Sequence, residues 1–133
     1  MPKLLADSSA LLAYALDDDK NHRAAVSFVQ EHPHARFVVT ELIVAELATR
    51  TRAIAGAEQA GRVVRSLLDS RRHELIFVDL ELLRAALDRL VRFADKRLSL
   101  TDCASFELMD RLSIDTAFTF DREFRDCGFS MAP

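Results

Sequence analysis

Four carboxylates stand where side chains of their type could act together: Asp7, Glu46, Asp102 and Asp121. Asp7 closes the apolar run Leu4-Leu5-Ala6, and Asp121 follows the run Thr116–Phe120. If both runs are strands of one parallel sheet, both acids emerge at its carboxyl edge, where ligands bind in open α/β sheets. Asp102 lies in the first turn of an expected helix, where backbone amides favour negative charge. Glu46 is the only polar residue in Leu42-Ile43-Val44-Ala45-Glu46-Leu47-Ala48. A helix apolar all round is expected to be buried, and a buried carboxylate is costly without a partner. Singly, each acid has a plainer reading. Asp7 and Asp121 could be strand-end turn formers, Asp102 a helix cap, and Glu46 an i,i+4 partner of Arg50. Together they would repel one another unless a cation were present. Oxygen ligands without nearby His or Cys select a hard divalent ion, Mg²⁺ or Mn²⁺. Such an ion suits phosphodiester hydrolysis, because it lowers the pKa of water and stabilises charge developing on a phosphoryl oxygen.

The elements that must position these acids follow from apolar spacing. Strands are expected at Lys3–Ala6, Phe37–Val39, Leu75–Val78 and Thr116–Phe120, with a short edge strand at Phe129–Met131. Helices are expected over Ser8–Leu16, around Ala25, Phe28 and Val29 until Pro33, and from Glu41 behind a Thr40 cap. Two further helices show inward-facing sets, Ala60, Val63, Val64, Leu67, Leu68 and Leu83, Ala86, Leu87, Leu90, Val91, Ala94. Asp79 can start the second of these, and Ser99 with Asp102 forms a capping-box pattern for a last helix through about Arg111. Short non-alternating strands separated by helices indicate a parallel sheet covered on both faces, a three-layer α/β/α sandwich. No repeat or linker divides residues 1–133, so one domain is expected.

Composition narrows the class. The chain has 133 residues, half hydrophobic and 29% charged, with three Gly and three Pro, which excludes collagenous and low-complexity chains. Cys103 and Cys127 are too few for a disulfide framework, and a reducing, cytosolic setting is expected. No apolar run has the length of a membrane helix and no signal-peptide pattern is seen. The net charge of −3 alone argues against a nucleic-acid partner, yet without the four acids it becomes +1. Fifteen of the 18 basic residues are Arg, and Leu47–Arg72 holds six of them against two acids. Arginine's planar fork suits phosphate, and Arg50 and Arg52, just beyond Glu46, are the candidates for contact with RNA. On any single helix, such charges could equally be a solvated outer face.

These segments also resemble a known family. Asp7-Ser8-Ser9 before Leu11-Leu12-Ala13, Glu41 to Leu47, Ser99-Leu100-Thr101-Asp102 and Thr119-Phe120-Asp121-Arg122-Glu123-Phe124 are similar to the four acidic motifs of the PIN domain. Within it, the chain resembles VapC-type toxins of bacterial type II toxin–antitoxin pairs, from Asp7 to Phe124. The resemblance implies strand order 3-2-1-4-5 and a metal-dependent endoribonuclease. It implies Asp7, Glu46, Asp102 and Asp121 as catalytic residues, with Asp7, Asp102 and Asp121 on Mg²⁺ or Mn²⁺. Ser8, Ser9 and Thr119 would support the site around the metal, with Glu46 orienting water or ligands. It further implies a homodimer inhibited by a VapB-like antitoxin. The first helix, with Leu11, Leu12, Tyr14, Ala15 and Leu16, offers apolar surface for such a dimer. Cys103, beside Asp102, reads as a small buried residue whose thiol could also sense oxidation, while Glu41, Asp95 and Asp115 read as helix-start, surface and turn residues. Two other functions remain open: an inactive PIN-like module binding RNA or protein, and a phosphohydrolase using Asp7 as nucleophile. The latter lacks a second acid at position 9, which is Ser.

Overall fold

The computed structural model describes residues 2–133. Five strands, β1 (Lys3–Ala6), β2 (Arg36–Thr40), β3 (His73–Ile76), β4 (Thr116–Phe118) and β5 (Ser130–Ala132), pair in parallel in the order β3-β2-β1-β4-β5. Seven helices connect them: α1 (Ser8–Ala15), α2 (His22–Glu31), α3 (Glu41–Ala55), α4 (Ala57–Asp69), α5 (Leu80–Arg92), α6 (Leu100–Leu112) and α7 (Glu123–Asp126). Successive strand residues point to opposite faces. Leu4, Leu5 and Ala6 are all buried, as are Phe37, Val38 and Val39, so helices cover both faces of the sheet as expected. Phe118 stacks on Phe28 and tilts against Phe37, each at 5.3 Å, so rings from β2 and β4 meet across β1. Among the described residues, no helix is long and apolar enough to cross a membrane.

Two strands pass into helices without a loop, which brings site residues to the carboxyl edge. Asp7 ends β1 and caps α1, its side chain accepting from Ser9 N. Thr40 ends β2 and caps α3, its hydroxyl accepting from Ile43 N at 3.2 Å. Thr40→Ala is expected to cost about 1 kcal/mol of stability, read as a shift in denaturant midpoint, since a fully buried cap leaves an amide without a partner. At the far end of α3, Gly56 takes φ +92, a conformation that L side chains rarely adopt, and the chain turns there into α4.

The structure moves several expected boundaries. The third strand is not Leu75–Val78 but His73–Ile76, in register with Phe37–Thr40. Beyond Ile76 its partner β2 has become helix, and Val78 N instead donates to both carboxylate oxygens of Glu41, at 2.8 and 3.1 Å. Glu41 thus starts its helix and also anchors the β3–α5 connection. The fourth strand stops at Phe118, because Phe120 N turns away to donate to Ser9 Oγ at 3.0 Å. The helix α5 is rotated from the expected face. Leu82 and Ala86 are buried, whereas Leu87 and Val91 are exposed. Its contact with α6 is fixed by Arg89, which reaches Glu107 at 3.4 Å and Asp110 at 3.0 Å beneath its position over the Phe106 ring. On α4, Ala60 and Leu67 face inward and Leu68 outward. Leu11 and Leu12 belong to the core, leaving Tyr14 as the exposed large apolar side chain of α1.

Candidate active site

The four acids approach from β1, α3, α6 and the segment after β4. Asp7 is buried, and burial pushes its carboxyl pKa up, with the charge of Glu46 adding to that rise. Three donors oppose it at a single oxygen: Asp7 Oδ2 accepts from Ser9 N at 3.3 Å, Ser9 Oγ at 2.7 Å and Thr119 Oγ1 at 2.9 Å. With both hydroxyl protons committed to Asp7, Ser9 Oγ accepts from Phe120 N and Thr119 Oγ1 accepts from Asp121 N, each at 3.0 Å. The first turn of α1 is thereby tied to the chain that carries Asp121.

Asp102 completes a capping box: its backbone N donates to Ser99 Oγ at 3.0 Å, and its Oδ2 accepts from Ser99 N at 3.1 Å. Those bonds favour the anion, but burial outweighs them, and the charges of Asp7 and Asp121 add to it. The carboxyl pKa is raised to about 6. Asp121 lies three residues past the end of β4 rather than directly after it, and its Oδ1 accepts from Glu123 N at 3.0 Å. Glu46 departs from expectation. It is half-buried, since α3 turns mainly Ile43, Leu47 and Thr51 into the core. Among the described residues it forms no ion pair with Arg50. Ser8 Oγ instead donates to Glu46 Oε1 and accepts from Arg50 Nη1 at 3.3 Å.

A common pattern emerges. Each acid is fixed to the protein through one oxygen, and among the described residues Asp7 Oδ1, Glu46 Oε2, Asp102 Oδ1 and Asp121 Oδ2 receive no hydrogen bond. None of those four oxygens is a buried atom lacking a partner. This donor set fits a hard divalent cation in kind, since accessible carboxylate oxygens that face one another's charge gain from a positive ion. It is not a closed cage: among the described residues, no three His, Cys, Asp or Glu side chains are gathered tightly enough to grip an ion unaided. A cavity of about 420 Å³, lined by residues such as Leu11, Tyr14, Phe37 and Leu67, contains none of the four.

The family model of the PIN domain matches residues 4–130. The chain belongs to the PIN domain family. As a PIN domain it shares its fold with solved structures. Toxin VapC20 of Mycobacterium tuberculosis, described as cleaving the sarcin–ricin loop, superposes with a TM-score of 0.88 at 24% identity over 95% of each chain. VapBC2 of Rickettsia felis, bound to a DNA fragment from their promoter, gives 0.70 at 11% identity, over 97% of this chain and 96% of that one. DNA-bound VapBC of Salmonella typhimurium gives 0.68 at 13%, over 98% and 97%. No curated protein matches this chain in sequence.

Ser8, Ser9 and Thr119 all contact a site carboxylate, whereas Arg52 is exposed and its side chain has no hydrogen bond or ion pair among the described residues. The capping box expected of Ser99 and Asp102 is present, with Ser99 N as the donor to Asp102 Oδ2. Glu123 N as the donor to Asp121 was not legible in the sequence, because the short α7 has no apolar period to reveal it. Cys103 is fully buried, and its thiol pKa is raised by that burial and by Asp102, so a reactive thiolate is disfavoured. Asp95 and Asp115 are exposed; Asp95 is a surface residue as expected, whereas Asp115 directly precedes β4.

Proposed function

We propose that this PIN domain, residues 1–133 acting as one unit, is a metal-dependent endoribonuclease and the toxin of a VapBC-like pair. The observation that carries this reading is the set of four carboxylates anchored through one oxygen each, with the other oxygen receiving no hydrogen bond among the described residues. Asp7, Asp102 and Asp121 would hold Mg²⁺ or Mn²⁺. When bound, such an ion supplies positive charge to a phosphoryl oxygen and lowers the pKa of water. The protein's own part is orientation. Ser9 and Thr119 lock the Asp7 carboxylate, Ser99 locks Asp102, and Ser8 holds Glu46 so that Oε2 can accept a proton from an attacking water. The similarity to VapC20 and to the two DNA-bound VapBC structures supports RNA as substrate and a VapB-like antitoxin as partner. The reading extends to a homodimer working in the cytoplasm.

The test is cleavage of single-stranded RNA. Hydrolysis is expected with Mg²⁺ or Mn²⁺ and not with EDTA, and Asp7→Asn is expected to remove it. Equal cleavage by wild type and Asp7→Asn would overturn the site. RNA binding by the wild type without cleavage in either metal would leave a binding module.

A further inference from the structure

We infer that Arg50 anchors a phosphate of the RNA beside the acidic site, and that Ser8 is its positioning residue, a hydroxyl wedge that keeps the guanidinium from closing onto Glu46. The inference rests on the hydrolase reading above.

Glu46 and Arg50 stand four residues apart on α3, the spacing at which a carboxylate and a guanidinium pair directly. Among the described residues they do not. Ser8 Oγ sits between them, donating to Glu46 Oε1 and accepting from Arg50 Nη1 at 3.3 Å. A hydroxyl has one proton, so with that proton on Glu46 its oxygen can only accept from Arg50. The direction of the chain is therefore fixed as Arg50 to Ser8 to Glu46. Ser8 is 1% exposed and follows Asp7 in the first turn of α1, so its hydroxyl is a rigid fixture of the site edge.

The consequence lies in what Arg50 keeps. Its side chain is exposed, and Ser8 is its one hydrogen-bond partner among the described residues. Among the described residues, the remaining N–H groups of the fork meet no protein acceptor. Other arginines differ. Arg72 is bonded to the carbonyls of His32 and Ala35, Arg89 to Glu107 and Asp110, and Arg111 to Asp79. Arg62 pairs with Glu58 on the outer face of α4, and Arg52 touches nothing in the site. Arg50 alone among these is attached to a residue that also holds a site carboxylate. A planar fork accepts two oxygens of one phosphate, a match that a lysine ammonium cannot make. The ligand is thus an RNA backbone phosphate next to the one hydrolysed, recognised without regard to base.

Binding and turnover are measured separately. Affinity of Asp7→Asn protein for a fluorescein-labelled single-stranded RNA is read by anisotropy in Mg²⁺ at several salt concentrations. Adding Arg50→Gln is expected to weaken binding about 10-fold, the effect of one charged hydrogen-bonding group, and to lower the salt slope by about 0.7. Arg50→Lys should restore the salt slope but not the full affinity. Ser8→Ala should weaken binding too, and its effect should vanish once Arg50 is Gln, because both act through one contact. In the cleaving enzyme, Arg50→Gln should raise KM more than it lowers kcat. Unchanged affinity and salt slope in Arg50→Gln would overturn the anchor, and additive Ser8 and Arg50 effects would overturn the wedge. If no RNA binds the Asp7→Asn parent, the hydrolase reading fails, and this inference with it.

Discussion

Asp102→Asn is expected to make the protein more stable and less active at the same time. In the folded chain the carboxyl titrates at about 6, against 3.8 for an unperturbed group, through burial and the charges of Asp7 and Asp121. The ionised form is therefore destabilising at neutral pH. The cost is fully present above pH 6 and is relieved as pH falls from about 6 toward 4. One pKa unit corresponds to roughly 1.4 kcal/mol, so the ceiling on this cost is about 3 kcal/mol. Asn removes the charge while its amide oxygen can still accept from Ser99 N, so a gain of about 1–3 kcal/mol at pH 7 without divalent ion is expected. The activity should fall by at least about 100-fold, the upper end of losses seen when groups merely supporting a metal ligand are removed. Millimolar Mg²⁺ should raise the melting midpoint of the wild type by mass action and raise that of Asp102→Asn less. The measurements are thermal melts with and without Mg²⁺, beside an RNA cleavage assay. A variant that melts lower than wild type, together with a wild type indifferent to Mg²⁺, would show that the acids neither repel nor share an ion.

Opposite responses of stability and activity are the signature of a strained functional site, and they separate the site acids from ordinary caps. Asp79 makes the contrast. It caps α5 through Leu82 N at 2.7 Å, and that bond together with Arg111 holds its carboxyl below the usual range. Asp79→Asn should therefore bring no gain. Asp102 takes part in the capping box of α6 just as visibly, yet its pKa moves the other way, because burial and the charges of Asp7 and Asp121 outweigh the bonds from Ser99.

That difference marks the limit of what the sequence shows. The capping pattern at Ser99 and Asp102, the Thr40 cap and the apolar runs are local, and local patterns were enough to assign the fold class and to draw out the four acids. Strand order came from the family resemblance, since nothing local says that β1 lies between β2 and β4. Register is a tertiary property as well. Leu75–Val78 is a convincing apolar run, but pairing with Phe37–Thr40 moves the strand to His73–Ile76 and leaves Phe77 68% exposed. The i,i+4 spacing of Glu46 and Arg50 predicts a pair. Its absence depends on Ser8, 38 residues from Glu46, and no reading of α3 alone could find it. The acids were legible because their chemistry needs particular residue types, whereas Ser and Thr donors serve many roles and acquire theirs only from position.

His73→Phe is expected to make stability respond more favourably to acidification than it does in the wild type. His73 begins β3, its ring 5.4 Å from Phe37 and stacked on it, with Nδ1 buried and without a partner among the described residues. Burial, and then the charge of Arg72, lower its pKa to about 4 from 6.5. Below pH 6.5 the unfolded chain takes up a proton that the folded chain refuses until about pH 4, so His73 removes stability as pH falls through that window. The shift sets a ceiling of about 3 kcal/mol. Asp102, raised to about 6, acts in the reverse sense between about 6 and 4, and Asp7, also raised, has the same sign as Asp102. In the wild type these contributions oppose each other across nearly the same interval. Phe fills the stacked site without a proton to exchange, so the variant should keep the gain from the acids and lose the opposing cost. Denaturant midpoints at pH 7, 5.5 and 4.5 should diverge from wild type by about 2 kcal/mol toward the acid end. In the Asp102→Asn background the order is reversed, with stability lost on acidification relative to wild type. Parallel profiles for all three proteins would mean that neither group has the shifted pKa on which the compensation depends.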